Sequence, residues 1–105
     1  MKNNLLNKKE LSKIKNIRNR EGEVITFDLN KIVDAVQKAF AITNEGTEKE
    51  AENVAKKVFH KLIHKKEESS DKKFIPTVEL VQDLVEAELM ELGFHLTAKS
   101  YILYR

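Results

Sequence analysis

Between Thr47 and Ile63 the chain carries a helical signature that constrains most of what it can fold into. Thr47-Glu48-Lys49-Glu50 is a capping box, in which the threonine and the glutamate three residues later satisfy each other's backbone N–H groups. Ala51, Val54, Ala55, Val58, Phe59, Leu62 and Ile63 then follow at 3-4-3-4 spacing and draw a single apolar stripe. An amphipathic helix of this kind must bury its stripe against other elements, so the rest of the chain has to supply them.

Two further helices and a last helical segment are predicted. The first runs from about Leu29 to Ala41, with Asp28 as N-cap and Ile32, Val33, Ala35, Val36, Ala39 and Phe40 on one broad face. After the polar run from Lys65 to Lys73, expected as a surface loop, Phe74-Ile75-Pro76 is expected to be a short extended piece, because Pro76 disfavours helix in the residue before it. Thr77 caps the next helix, through Leu80, Val81, Leu84, Val85, Leu89 and Met90 to a stop at Gly93. Thr97 is expected to cap a last segment with Ala98, Tyr101, Ile102 and Tyr104.

Ahead of these helices, Ile14 and Ile17 are separated from Val24, Ile25 and Phe27 by Glu21-Gly22, the pattern of a β-hairpin whose glycine supplies a positive φ. A three-residue loop, Arg20 to Gly22, sets Ile17 opposite Ile25 and brings Phe27 to the same face; a two-residue turn pairs these residues less well. The fold class predicted is α+β, mainly α: four helices capped by a small hairpin or three-stranded sheet. Residues 1–12 are set apart as a basic tail and 13–105 as the domain.

Composition narrows the function. With no cysteine among 105 residues, disulfide frameworks, thiolate metal sites and cysteine nucleophiles are excluded. No apolar run reaches a membrane span, and Leu5-Leu6 is too short for a secretory signal, so a cytoplasmic location is expected. Net charge is +2, yet residues 1–20 hold seven basic side chains against Glu10 alone, which leaves the remainder acidic. Such asymmetry suggests an anion-binding face near the N-terminal end, or else a solvated tail.

No catalytic constellation is evident. His60 and His64 stand four apart, a spacing that can share a metal, but Lys61 follows where a zinc protease would carry glutamate, and the surroundings are basic; no metal site is expected. Glu86, Glu88 and Glu91 form a charged helix face, and no glycine-rich phosphate loop occurs. Anion binding has better support. Arg18 and Arg20 flank the hairpin tip, and Lys31 occupies the first turn of a helix, where the dipole penalises a cation by about 0.3–1 kcal/mol unless an anion is held there.

These residues resemble a known family. Ile17-Arg18-Asn19-Arg20-Glu21-Gly22, followed by Phe27-Asp28 and Lys31-Ile32, resembles the opening of the ATP-cone domain, whose pattern is roughly apolar-x-Lys-Arg-Asp-Gly, a spacer, Phe-Asp, then Lys-Ile. Val78 with Val81 to Glu86 resembles its second signature, and Ala98 to Arg105 its third; together they cover residues 14–105. The resemblance implies a four-helix bundle with a small sheet that binds ATP or dATP as an allosteric ligand, with magnesium accompanying the phosphates. Such domains sit in ribonucleotide reductases or in the repressor of reductase genes, where they switch activity or oligomeric state. The implied partners are therefore a reductase subunit or a second copy of the chain.

Carried over by position, Ile17, Phe27 and Ile32 would contact the base, and Arg20 and Lys31 the phosphates. Asp28 would position the base, and Val78 and Gln82 would close the pocket. Asn19 stands where the family usually has lysine, which removes one phosphate ligand; Arg18 is the neighbouring substitute, though it points the other way in a strand. The chain is expected to be either an excised domain or a free-standing cone, with Met1 favouring a natural N-terminus. The alternative function is a nucleic-acid-binding transcriptional regulator using residues 1–20. Against it, the body is acidic and the tail lacks interleaved aromatics. Nucleotide hydrolysis lacks both a phosphate loop and a positioned base.

Overall fold

The computed structural model describes residues 6–71 and 73–105. A short helix α1 (Lys8–Leu11) precedes strands β1 (Asn16–Arg18) and β2 (Val24–Thr26), followed by helices α2 (Leu29–Thr43), α3 (Glu48–Glu68), α4 (Val78–Glu91) and α5 (His95–Tyr104). Helices α2 to α5 pack as a closed ring, α2 chiefly against α3 and α5, and α4 chiefly against α3 and α5. No helix among the described residues is long and apolar enough to cross a membrane.

The stripe of α3 is buried throughout, with Ala51, Val54, Ala55, Val58, Phe59 and Leu62 all at 0% exposure. Its capping box forms as expected, Glu50 N donating to Thr47 Oγ1 and Thr47 N to Glu50 Oε1. The helix runs further than the apolar pattern, into the polar segment as far as Glu68. Lys65 and Lys66 suit the negative end of the helix dipole there, and His64 meets Glu68 at 3.1 Å one turn on. Helix α2 likewise runs to Thr43 and stops at Asn44, whose φ of 60° lets its N–H reach Phe40 O.

The hairpin has the three-residue loop and the predicted register: Ile17 pairs with Ile25 and Arg18 with Val24. Asn19 and Glu23 close it, Asn19 N donating to Glu23 O, and Gly22 takes a φ of +87°. Ile17 is buried, whereas Ile25 opposite it is 41% exposed, because the sheet overhangs the core at β2. Phe27 packs on Phe59, ring centroids 5.5 Å apart. Among the described residues the sheet has two strands; the extended piece before α4 joins it through one parallel bridge, Arg18 to Thr77, with Arg18 N donating to Pro76 O.

Two features depart from the sequence-based expectation. Thr97 does not cap the last helix: α5 begins at His95, and Thr97 lies fully buried within its first turn. The cap comes instead from Glu45, in the connection between α2 and α3, whose carboxylate accepts from Leu96 N, Thr97 N and the Thr97 hydroxyl. A first turn leaves N–H groups without helical partners, and a carboxylate arriving from elsewhere in the fold satisfies them as well as a local one. The described part of the N-terminal segment also lies against the body. Leu6 is in the core, Glu10 meets His60 at 3.1 Å, and Lys66 Nζ donates to Lys13 O. Residues 1–5 of that segment lie outside the described residues.

Candidate functional site

Helices α2, α4 and α5 enclose a cleft of about 580 Å³. Lys31, Ala35, Lys38 and Ile42 line one wall at i, i+4, i+7 and i+11 spacing along α2; Ser100, Tyr101, Tyr104 and Arg105 line the other, with Gln82 between them. The hairpin tip closes over the α4 side, where Arg20 Nη2 donates to Gln82 Oε1 at 3.2 Å across 62 residues of sequence.

That tip is held by its own polar groups. The Asn19 Oδ1 accepts from Glu21 N and Glu23 N, and Arg18 Nη1 donates to Gly22 O at 2.7 Å. Asn19 and Arg18 thus shape the loop, and Arg20 is the side chain it presents to the cleft. Asp28 caps α2 by accepting from Asn30 N, which fixes where the first turn, and so Lys31, meets the cleft.

Three of the expected site residues therefore converge: Lys31 and Gln82 line this cleft and Arg20 reaches it through Gln82. Ile17 and Ile32 are in the hydrophobic core at 8% and 7% exposure, and Val78 packs against that core half-buried. Phe27 and Asp28 face a second cleft of about 540 Å³ with Leu6, Leu11 and Ile14. Sequence reasoning did not single out Lys38, Tyr101, Tyr104 or Arg105 as site residues. Tyr101 and Tyr104, three apart on the last helix, were the available signal.

Electrostatically, the α2 wall offers Lys31 and Lys38, both exposed, with Asp34 between them. Arg105 Nη1 lies 3.0 Å from Asp83 Oδ1 and also contacts Glu86; chiefly through the Asp83 bond, its already high pKa is raised further. Burial pushes the Tyr101 phenol up to about 12, so it is neutral and a hydrogen-bond donor at ordinary pH. Ser100 Oγ is buried without a hydrogen-bond partner, an orphan polar atom in the α5 wall. The arrangement offers cations, one neutral amide and tyrosine rings on an apolar base, which suits a ligand that is part flat and part anionic. His60 and His64 lie elsewhere, each against a carboxylate, and the described residues contain no cluster able to hold a metal.

Comparison with known proteins places the chain in a family. The family model of the ATP cone domain matches residues 15–105. A vitamin B12-dependent ribonucleoside-diphosphate reductase of Thermoplasma acidophilum is 41% identical over 97 residues, 88% of this chain but 12% of the relative. The ribonucleoside-diphosphate reductase subunit alpha of Chlamydia muridarum is 29% identical over 91 residues, 82% of this chain and 9% of the relative. The chain thus spans about a tenth of the length of the curated relatives it matches.

Proposed function

This chain belongs to the ATP-cone domain family, and we propose that it is a regulatory module that binds ATP or dATP between the hairpin and helices α2, α4 and α5. It performs no chemistry itself and acts in the cytoplasm on a ribonucleotide reductase, as part of it or as a separate chain, by altering activity or oligomeric state. The observation that carries the reading is the meeting of Arg20, Lys31 and Gln82, from three separate elements, at one cleft.

In this reading Arg20 and Lys31 hold phosphates, with magnesium bound to the phosphates. Gln82 and Val78 close the site from α4. Ile17 and Ile32, in the core, and Phe27, which faces the neighbouring cleft, would contact the base once the hairpin, which rests on α4 through exposed polar contacts, shifts. Asp28 sets the start of α2, and Asn19 and Arg18 act through the shape of the tip. Regulation then follows if the nucleotide favours one of two arrangements of hairpin and helices, a coupling typically worth about 1–3 kcal/mol.

The test is calorimetric titration with ATP, dATP and GTP in magnesium buffer, with mass followed by light scattering. Saturable binding selective for adenine nucleotides is expected, and Arg20→Ala with Lys31→Ala abolishes it. Both side chains are exposed, so the double variant keeps the fold. Unchanged affinity in that folded variant sinks the site assignment.

A further inference from the structure

The arginines at the cleft are already engaged. Arg20 Nε lies 3.5 Å from Glu79 Oε2, while its other edge donates to Gln82. Arg105 is gripped by Asp83 and Glu86. Glu79, Asp83 and Glu86 follow one another at four- and three-residue intervals, so they form a row of carboxylates along one face of α4. One arginine comes from the hairpin tip and the other from the residue after α5, yet both settle on this row.

The charges at the cleft balance. Arg20, Lys31, Lys38 and Arg105 are matched by Asp34, Glu79, Asp83 and Glu86. A polyphosphate approaching a balanced site gains little from it until some cations change partners. The Arg20–Glu79 pair is easily surrendered, because its side chains are 55% and 54% exposed and exposed ion pairs are weak. Phosphate offers a guanidinium the stronger, forked pairing.

We propose that the α4 carboxylates are an internal stand-in for phosphate: Glu79 and Asp83, with Glu86, hold Arg20 and Arg105 without ligand and release them to a nucleoside polyphosphate. This rests on the nucleotide-binding function proposed above and adds the residues that set its affinity. The exchange also frees the hairpin tip and the end of α5 from α4, so occupancy is read out as a loosening of both from that helix.

The experiment titrates ATP and, separately, adenosine into the parent chain and into its Glu79→Gln and Asp83→Asn variants. Their side chains are 54% and 63% exposed, so the neutral isosteres leave the fold intact, which thermal melting checks. ATP is expected to bind about two- to fivefold tighter in each variant, the factor corresponding to one exposed ion pair, with adenosine unchanged. The gain shrinks as salt is raised. Equal or weaker ATP binding in the variants overturns the proposal, since the carboxylates would then be orienting the arginines for the ligand. A gain shared by adenosine also overturns it, as a general loosening of the cleft. Failure of the parent and both variants to bind ATP at all overturns the nucleotide reading itself.

Discussion

Replacing Thr97 with valine isolates the tie that holds the start of α5. The hydroxyl bonds Glu45 Oε1 and Thr43 Oγ1, each at 2.7 Å, and the residue is fully buried. Valine keeps the shape and removes both bonds. The partners are not wholly stranded, because the Thr43 hydroxyl, freed from Thr97, can turn its proton to Ala39 O and Glu45 Oε1 still accepts from Thr97 N. The loss should therefore sit at the lower part of the range for buried hydrogen-bond deletions, about 1–2 kcal/mol. For a domain of this size, where each kcal/mol moves Tm by about 4–8 °C, that corresponds to a fall of about 4–16 °C.

Acid adds a second readout with a defined sign. The Thr97 hydroxyl is the largest influence holding the Glu45 carboxyl below its usual 4.5. A carboxyl whose pKa is depressed by folding stabilises the fold above its unfolded value, and that contribution is lost as pH falls through the folded value. The Tm gap between parent and Thr97→Val should thus be full at neutral pH and narrow once the pH drops below 4.5. Circular dichroism melts across that range decide it. A variant that melts with the parent at neutral pH, or a gap that widens in acid, refutes the account of Glu45 as the cap of α5.

Two other outcomes check the packing. Gly46→Ala places a methyl group onto the Phe40 ring, which is itself packed on Phe94 at 4.9 Å, so about 1–3 kcal/mol should be lost in denaturant melts; unchanged stability would mean that the ring yields freely. In a Tyr104→Phe background Tyr101 is the only phenol, and its ultraviolet titration should centre near 12, with stability present below 10 and lost as pH rises between the two values. Ionisation of the folded protein near 10 would contradict the burial of its ring.

What could be read from the sequence was what adjacent residues decide. The stripe of α3, its capping box and the hairpin register depend on spacings of a few residues, and each forms as predicted. Helix ends were less visible: Ile42 extends α2 yet is 62% exposed, so it leaves no periodic trace. Glu88 belonged to what looked like a solvated acidic face, but it is 3% exposed with Lys61 Nζ 2.9 Å away. Burying that carboxylate requires its lysine partner from α3, and no local pattern announces such a pair. Glu45 was invisible for the same reason, since the N–H groups it caps lie about fifty residues away. At the site, Arg20, Lys31 and Gln82 were recognisable one by one. Their shared cleft, and the turning of Phe27 and Asp28 toward another, are set by how the hairpin sits on the bundle.

That division between apolar and polar contacts indicates which parts of the molecule a ligand can move. Helices α2, α3 and α4 are joined by large buried apolar side chains, among them Val36, Val54, Val58, Phe59, Leu62, Val85 and Leu89, all at 0% exposure. Close packing of this kind resists small displacements. Helix α5 instead buries only the small or polar Thr97, Ala98 and Ser100, beside the partly buried rings of Tyr101 and the N-cap Phe94, and is tied at its start by Glu45 and beyond its end by the Arg105 pairs. The hairpin buries Ile17 and is bonded along β1 by Arg18 N to Pro76 O, while its tip is tied to α4 through the exposed Arg20 contacts. Segments held by few apolar contacts and exposed polar bonds are the ones that open at low free-energy cost. A nucleotide that drew Arg20 and Arg105 away from α4 would therefore shift the hairpin and α5 across an unmoved α2–α3–α4 frame. The surface that changes would be the outer side of α5, where Leu96, Ile102 and Leu103 are 61%, 51% and 74% exposed.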